Sequence, residues 1–271
     1  MSVKEPGARD RASFGMIASG ALLALILVVG AVVYFTSSGG TEEDVAPPPA
    51  QAAGGTGFAD PEVDLFGRRV DVPNNPAGQP LEQDPSTQRS PVDSDWLTAA
   101  PEGTTKPHGW QRVYGASVPF STSDGPARIE DGLAVGYART PQGAALAAAQ
   151  ITYRLNARPA DRSLYVTQVR VSTAQLAAYD SALSSDRLPK QQPEKVTRYF
   201  VASDAFKIDD YADDMAIVRL ASRGPVIDGK QLYAAMRMIV VWDAGDWRLK
   251  PSSTTNTQTE YVESLAGWTK W

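Results

Sequence analysis

TPQGAALAAAQITYRL, residues 140–155, is the stretch whose reading decides the fold. Thr140 is placed to cap free backbone amides. Pro141 suits the first helical position because its missing N–H would have no partner there, and Ala144 to Arg154 has high helix propensity. The interior is mostly small, with Ala144, Ala145, Ala147, Ala148 and Ala149 set around Leu146, Ile151 and Leu155. Small side chains let one backbone approach another, so this helix is expected to lie tightly on a curved sheet.

Toward the C-terminus, Thr173 is expected to cap a second helix that runs through Leu176 and Tyr179 to about Leu183. Leu164 to Val169 reads equally well as strand or helix. Val196–Val201, Met215–Leu220, Leu232–Trp242 and Trp247–Lys250 read as four strands. Turn signals at Asp209–Asp214, at Arg223-Gly224-Pro225 and at Asp243–Asp246 separate them. Short loops make such strands antiparallel neighbours. Tyr261, Val262, Leu265 and Trp268 fall at helical spacing and predict a short amphipathic turn that either folds back onto the domain, the favoured reading, or engages a partner. Toward the N-terminus, Trp110–Tyr114 and Ala116–Phe120 read as extended chain interrupted by Gly115, and Leu133–Ala138 as a strand leading into the first helix. Helices followed by an antiparallel meander define an α+β domain, expected over residues 108–271.

Before that domain the composition changes twice. Phe14 to Phe35, FGMIASGALLALILVVGAVVYF, holds 22 residues without a charge. As a helix it would cover roughly 33 Å, enough to cross a hydrocarbon core of about 30 Å. Lys4, Arg9 and Arg11 precede it while Glu42, Glu43 and Asp44 follow, which predicts a cytoplasmic stub at 1–13, a single-pass span at 14–35 and an extracellular C-terminal domain. The run is too long for the core of a cleaved signal peptide. Gly15 and Ser19 are the expected helix–helix contacts if the span oligomerises. Residues 36–107 are rich in Pro, Gly, Ala, Ser, Thr and acids, which predicts a disordered linker with a reach of roughly 45 Å. Within it Val63 to Pro73 stands out. Leu65, Val70 and Val72 around a Phe66-Gly67 turn suggest a docked hairpin or a partner-binding motif, with Leu65, Phe66, Arg68 and Arg69, together with the distant Trp268, as candidate docking residues.

Several chemistries are excluded or weakly signalled. The chain has no cysteine, hence no thiol nucleophile, no thiolate ligand and no lipidated anchor. Its formal net charge is −5; the first 13 residues carry three positive and two negative side chains, which leaves about −6 outside the membrane. That argues against direct nucleic-acid binding, which needs clustered Lys and Arg. The single histidine, His108, lies in a loop-like stretch and gives no sign of a catalytic triad. Asp204, Asp209, Asp210, Asp213 and Asp214 form the one acidic cluster worth weighing for a metal, but it lacks the calcium-loop pattern and reads as a solvated turn. No phosphate-binding glycine motif occurs, so no cofactor is expected. Nothing selects a carboxylate pair for glycoside hydrolysis, which leaves a wall-acting hydrolase as a weak alternative.

Val241-Trp242-Asp243-Ala244-Gly245-Asp246-Trp247-Arg248-Leu249, taken with the Ala-rich helix, the linker and the charge-flanked span, resembles the cone-shaped α+β fold of nuclear transport factor 2. Behind a single span that fold resembles the bitopic inner-membrane scaffold proteins of type IV secretion and conjugation machines. Gly136 to Ala145 is similar to a segment in membrane-anchored proteins of actinobacterial integrative conjugative elements. The resemblance implies a non-enzymatic scaffold that contacts other subunits of a transfer apparatus and lies at the membrane. An exported ligand-binding or hydrolytic domain is the alternative.

Overall fold

In the computed structural model, which describes residues 55–251 and 259–271, the first helix α1 (Pro141–Ala157) begins as the sequence predicts. Thr140 is its N-cap, Oγ1 accepting from the Gly143 N–H at 2.9 Å, and Pro141 holds the first position. Gly143 is needed there because a Cβ would stand 2.1 Å from the Ala138 carbonyl oxygen. All 17 residues of α1 are buried. A helix resting on one sheet keeps a wet face, so total burial requires cover on both sides.

The first cover is a four-stranded sheet of β1 (Phe58–Val63), β2 (Arg69–Pro73), β3 (Trp110–Val113) and β4 (Ala116–Pro119), in that order. β1 and β2 form a hairpin, β3 and β4 pair antiparallel, and β2 meets β3 parallel at Asp71 and Gln111. Tyr114 and Gly115, at φ 51° and 85°, make the two-residue turn between β3 and β4, a left-handed pair that matches strand twist. A small hairpin, β5 (Arg128–Glu130) with β6 (Leu133–Val135), follows.

The second cover is an antiparallel meander of β7 (Ala205–Ala212), β8 (Met215–Ile227), β9 (Lys230–Asp243) and β10 (Asp246–Lys250). Trp247 faces Trp242 across the last hairpin, whose turn is Ala244-Gly245 at φ 54° and 86°. β11 (Thr259–Val262) pairs the far half of β9, and β12 (Thr269–Lys270) pairs the outer edge of β7. One face of α1 sends Gln150 to the Pro119 carbonyl of β4, and the other sends Thr152 to the Met238 sulfur of β9. Helices α2 (Arg162–Gln168), α3 (Thr173–Ser184) and α4 (Glu194–Thr197) fill the connection between α1 and β7. A capping box of Ser172 and Gln175 opens α3.

The chain is α+β with mostly sheet, but the architecture expected from sequence is overturned. Residues 58–107 are not a disordered linker; they contribute β1, β2 and a chain of ordered turns to the first layer. The helix is enclosed between two sheets and not packed on one curved sheet, so the cone is not the arrangement found. Among the described residues no helix is long and apolar enough to cross a membrane. The stretch 14–35, with Phe14, Gly15, Ser19 and Phe35, lies outside them.

Smaller differences have local causes. Val196–Val201 is not a strand, because Pro193-Glu194 starts a helical turn whose Thr197 packs under Gly115. Asp209 and Asp210 belong to β7, where a bulge between Ile208 and Asp210 breaks the alternation that would have revealed the strand. Gly224-Pro225 is a bulge inside β8, and the real turn is Asp228-Gly229. The C-terminal segment folds back as expected, but as two short strands and not as a helical turn.

Candidate interaction surfaces

The first region lies at the far end of the six-stranded sheet. Val226 is 64% exposed and Ile227 51%, at the tip of the β8–β9 hairpin, and Tyr261 of β11 places its ring beside Gly224 while remaining exposed. The β1–β2 turn comes to the same end. Asp64, buried, accepts from the Phe66 and Arg68 amides at 2.8 and 3.0 Å and pairs with Arg68 Nε at 2.8 Å, which fixes the turn. Arg68 Nη1 then reaches Asp204 at 3.2 Å, and Asp204 also accepts from the Arg223 amide and Nε at 2.9 and 3.2 Å. The Arg223 and Arg68 guanidinium groups stand 5.0 and 5.5 Å from the Phe66 ring centre. Leu65 and Phe66 stay exposed, so two of the five candidate docking residues join the exposed apolar tip of the sheet while Arg68 clamps the turn to it.

Trp268 and Arg69 lie elsewhere. Trp268 sits under the Arg219 guanidinium at 5.2 Å, itself held by Asp209 at 2.8 Å and by Glu260. The acidic residues are thereby accounted for in part: Asp209 pairs with Arg219, and Asp213 and Asp214 make the β7–β8 turn. Asp210 accepts from the Tyr211 amide. Among the described residues no group of three or more His, Asp or Glu is placed to hold a metal ion.

Arg69 opens onto the second region, a groove of about 500 Å³ where four chain segments meet. β2 supplies Arg69 and Asp71, the loop before β3 supplies Thr105 and Lys106, and Trp110 and Trp271 form a wall. Asp71 is 3% exposed and fully occupied: Oδ1 accepts from Arg69 Nε and Nη2 at 3.0 and 2.6 Å, and Oδ2 from the His108 amide at 2.7 Å. The Asp71 hydrogen bonds hold the Arg69 guanidinium above its usual range, so it stays charged. His108 adopts φ 69° and stacks on Phe58 with centres 3.9 Å apart, a structural use of the lone histidine. Trp271 is anchored by its indole N–H to Ser203 Oγ at 2.8 Å and meets Trp110 edge-on at 5.6 Å. Sequence reasoning missed this groove, since no pattern links positions 71, 106 and 271.

Other ionisable groups inside the fold hold its layers. Asp246 accepts from the Gly136, Tyr137 and Trp247 amides, and burial raises its carboxyl despite those bonds. Asp124 receives the Ser123 and Thr140 hydroxyls at the start of α1, and burial raises it too. Arg154 is 1% exposed; it donates to Gln150, to the Gly132 carbonyl at 3.0 Å and to the Ala77 carbonyl at 2.6 Å, and burial lowers its guanidinium from the usual range.

These features define a sheet-dominated α+β domain with an enclosed helix, a groove at the seam of its layers and an exposed apolar end. Residues 71–270 match the model of a protein family described as Domain of unknown function (DUF8175), and the chain belongs to that family. No curated protein and no solved structure matches it.

Proposed function

We propose that this protein is a membrane-anchored scaffold component of an envelope-spanning conjugation or type IV secretion apparatus, acting through protein–protein contacts outside the membrane. The observation that carries the contact role is the exposed apolar end: Val226, Ile227, Tyr261, Leu65 and Phe66 are presented together on a frame fixed by the Asp204 ion-pair network. Solvent-facing apolar groups held on a rigid support suit association. The membrane location is supported by the uncharged stretch 14–35 and its positive N-terminal flank. The apparatus itself is supported by the sequence resemblance alone.

Deleting the gene should abolish DNA transfer without changing growth, and Ile227→Asp in the full chain should reproduce the loss while the protein stays folded and membrane-associated. Unaltered transfer frequency after deletion removes the scaffold. A second reading, an exported ligand-binding domain, is favoured by the groove between Arg69, Lys106 and the two tryptophans.

A further inference from the structure

Shape and hydrogen-bonding groups, not charge, select what the groove can hold. Arg69 and Lys106 stand against the Asp71 carboxylate and the α-carboxylate of Trp271, so the lining residues sum to zero and no ion is selected. Asp71 has both oxygens occupied by Arg69 and the His108 amide. What the lining still offers a ligand is chiefly donors: Arg69 Nη1, Lys106 Nζ and the Trp110 indole N–H have no partner among the described residues. The apolar wall is angular. Trp110 and Trp271 meet at 88°, so they form a corner and not the flat platform a sugar ring stacks on. The Ser203 hydrogen bond and the Phe206 ring, 4.6 Å away, fix Trp271 in advance, which reduces the ordering cost of binding. A corner flanked by donors suits a segment with ridged apolar sides that presents carbonyls and no N–H groups. A polyproline helix is such a segment: three residues per turn give it a triangular section, its backbone makes no internal hydrogen bonds, and proline has no amide hydrogen. Docking of such helices in aromatic-lined grooves is a recurring mode of recognition.

The chain carries one run of three prolines, Pro47-Pro48-Pro49, and it lies outside the described residues. Five residues separate Pro49 from Gly55, a reach of about 20 Å. Gly55 lies against Asn74, three positions after Asp71 of the groove, and Phe58 stacks on His108, whose amide holds Asp71. The described chain therefore begins beside the groove, with the prolines in reach of it. We propose that the groove is a docking site for a polyproline segment and that Pro47-Pro48-Pro49 of the same chain occupies it. The proline rings fill the corner of Trp110 and Trp271, and the proline carbonyls accept from Trp110 Nε1 and Lys106 Nζ. A short tether supplies an effective concentration in the millimolar range, so even a weak contact is kept closed. Docking shortens the free chain after residue 35 from 19 residues to 11 and holds the domain nearer to the stretch 14–35. This deepens the reading of the groove as a binding site and rests on it. It does not depend on the scaffold role, which transfer frequency tests separately.

The test uses the full-length chain, reconstituted in lipid nanodiscs, and exploits its lack of cysteine. Ala46→Cys is combined either with Thr105→Cys at the groove or with Val92→Cys, a loop position 92% exposed, and disulfide formation under mild oxidant is timed on gels. The groove pair should close at least about tenfold faster than the Val92 pair, and adding Pro47→Ser and Pro49→Ser should slow it about tenfold while thermal unfolding stays in place. Calorimetry on the chain carrying only the two serine substitutions, with acetyl-VAPPPA-amide and acetyl-VASSSA-amide as probes, reads the emptied groove. The proline peptide should bind, and the serine peptide at least about tenfold more weakly. A closure rate that the serine substitutions leave unchanged overturns the proposal. Should the proline peptide bind even so, the groove remains a binding site with another occupant; no binding up to about 10 mM removes that reading for proline ligands as well. Disulfides formed between two chains and not within one assign the prolines to a second copy and overturn occupancy by the same chain.

Discussion

The two sheets that enclose α1 are built by different means. The C-terminal sheet is held by apolar alternation: Val218, Leu220, Val240, Trp247 and Leu249 are buried against the helix from strands whose turns fix their register. In the N-terminal layer the chain from 74 to 109 buries little apolar surface, chiefly Ala77 and Ala99. Side-chain amides aimed at backbone carbonyls hold it instead. Gln111 clasps residue 79 in both directions, accepting from its N–H at 2.8 Å and donating to its carbonyl at 2.7 Å. Gln83 and Gln88 donate to the Ser121 and Ser123 carbonyls, and Gln142 of α1 donates to those of Trp96 and Ala99. Each such bond contributes about 1 kcal/mol net, yet together they order a segment whose composition reads as disordered. Low apolar content does not by itself make a chain a tether when another layer offers it carbonyls and amides.

Removing a side chain from each layer tests whether the difference in construction is also a difference in cooperativity. The largest effect is expected at Trp247, 1% exposed, its indole N–H on the Ala138 carbonyl at 2.9 Å and its ring edge-on to Trp242 at 5.3 Å. Trp247→Ala should cost about 3–5 kcal/mol through the cavity it leaves, read as a lower urea midpoint with one transition. Two separate transitions would show that the layers unfold independently. Arg154→Ala comes next, because it strips the Ala77 and Gly132 carbonyls of their buried donor and should cost roughly 3 kcal/mol. Its signature is faster amide exchange around residues 74–81, ahead of the C-terminal sheet. Uniform acceleration across both layers would mean that the strap through Ala77 is not a distinct unit.

The asymmetry also explains what the sequence disclosed. The cap and first turn of α1, the strands around Trp110 and Val118, and the Trp242–Trp247 hairpin were legible because local rules governed them: a capping hydroxyl, Pro at the first position, alternation, and a tight turn. A helix whose side chains are small on every side already allowed close cover on two sides; the N-terminal sheet was missed as a layer because its strands Trp110–Val113 and Ala116–Pro119 and the suggested hairpin at Val63–Pro73 are separated by a chain that looked too polar to fold. β7 escaped because a bulge put two aspartates in succession. In the first surface region, Leu65 and Phe66 were legible from a turn between apolar residues, whereas Val226 and Ile227 were not, since Gly224-Pro225 resembled the turn that comes four residues later. The groove joins residues about 200 positions apart, which no local pattern encodes.

A smaller and more local effect is expected at the β1–β2 turn. Asp64→Ala removes the acceptor of two amides and one guanidinium nitrogen and should cost about 1–2 kcal/mol, confined to the hairpin. Exchange should rise at Phe66 and Arg68 while Val218 and Val240 stay protected. Loss of protection in β8 would instead make the Asp204 network a support for the sheet as well as for the turn.

The smallest effect is a pH dependence at the joint between the layers, where Asp124 receives the Thr140 hydroxyl that caps α1. Burial raises the Asp124 carboxyl, and the Ser123 and Thr140 hydrogen bonds oppose that shift only in part. The folded state therefore binds more protons than the unfolded state between the ordinary carboxylate value of 3.8 and the raised one. Stability contributed by this group is present below that window and falls as pH rises through it. Asp124→Asn keeps an acceptor for Thr140 and a donor toward Ser123 Oγ without burying a charge. Urea unfolding of the two proteins from acid to neutral pH should show the variant gaining on the parent as pH rises, by less than the Asp64 effect. A difference that moves the other way would mean that the two hydroxyls stabilise the carboxylate more than burial penalises it, and would make this polar joint a source of stability at neutral pH.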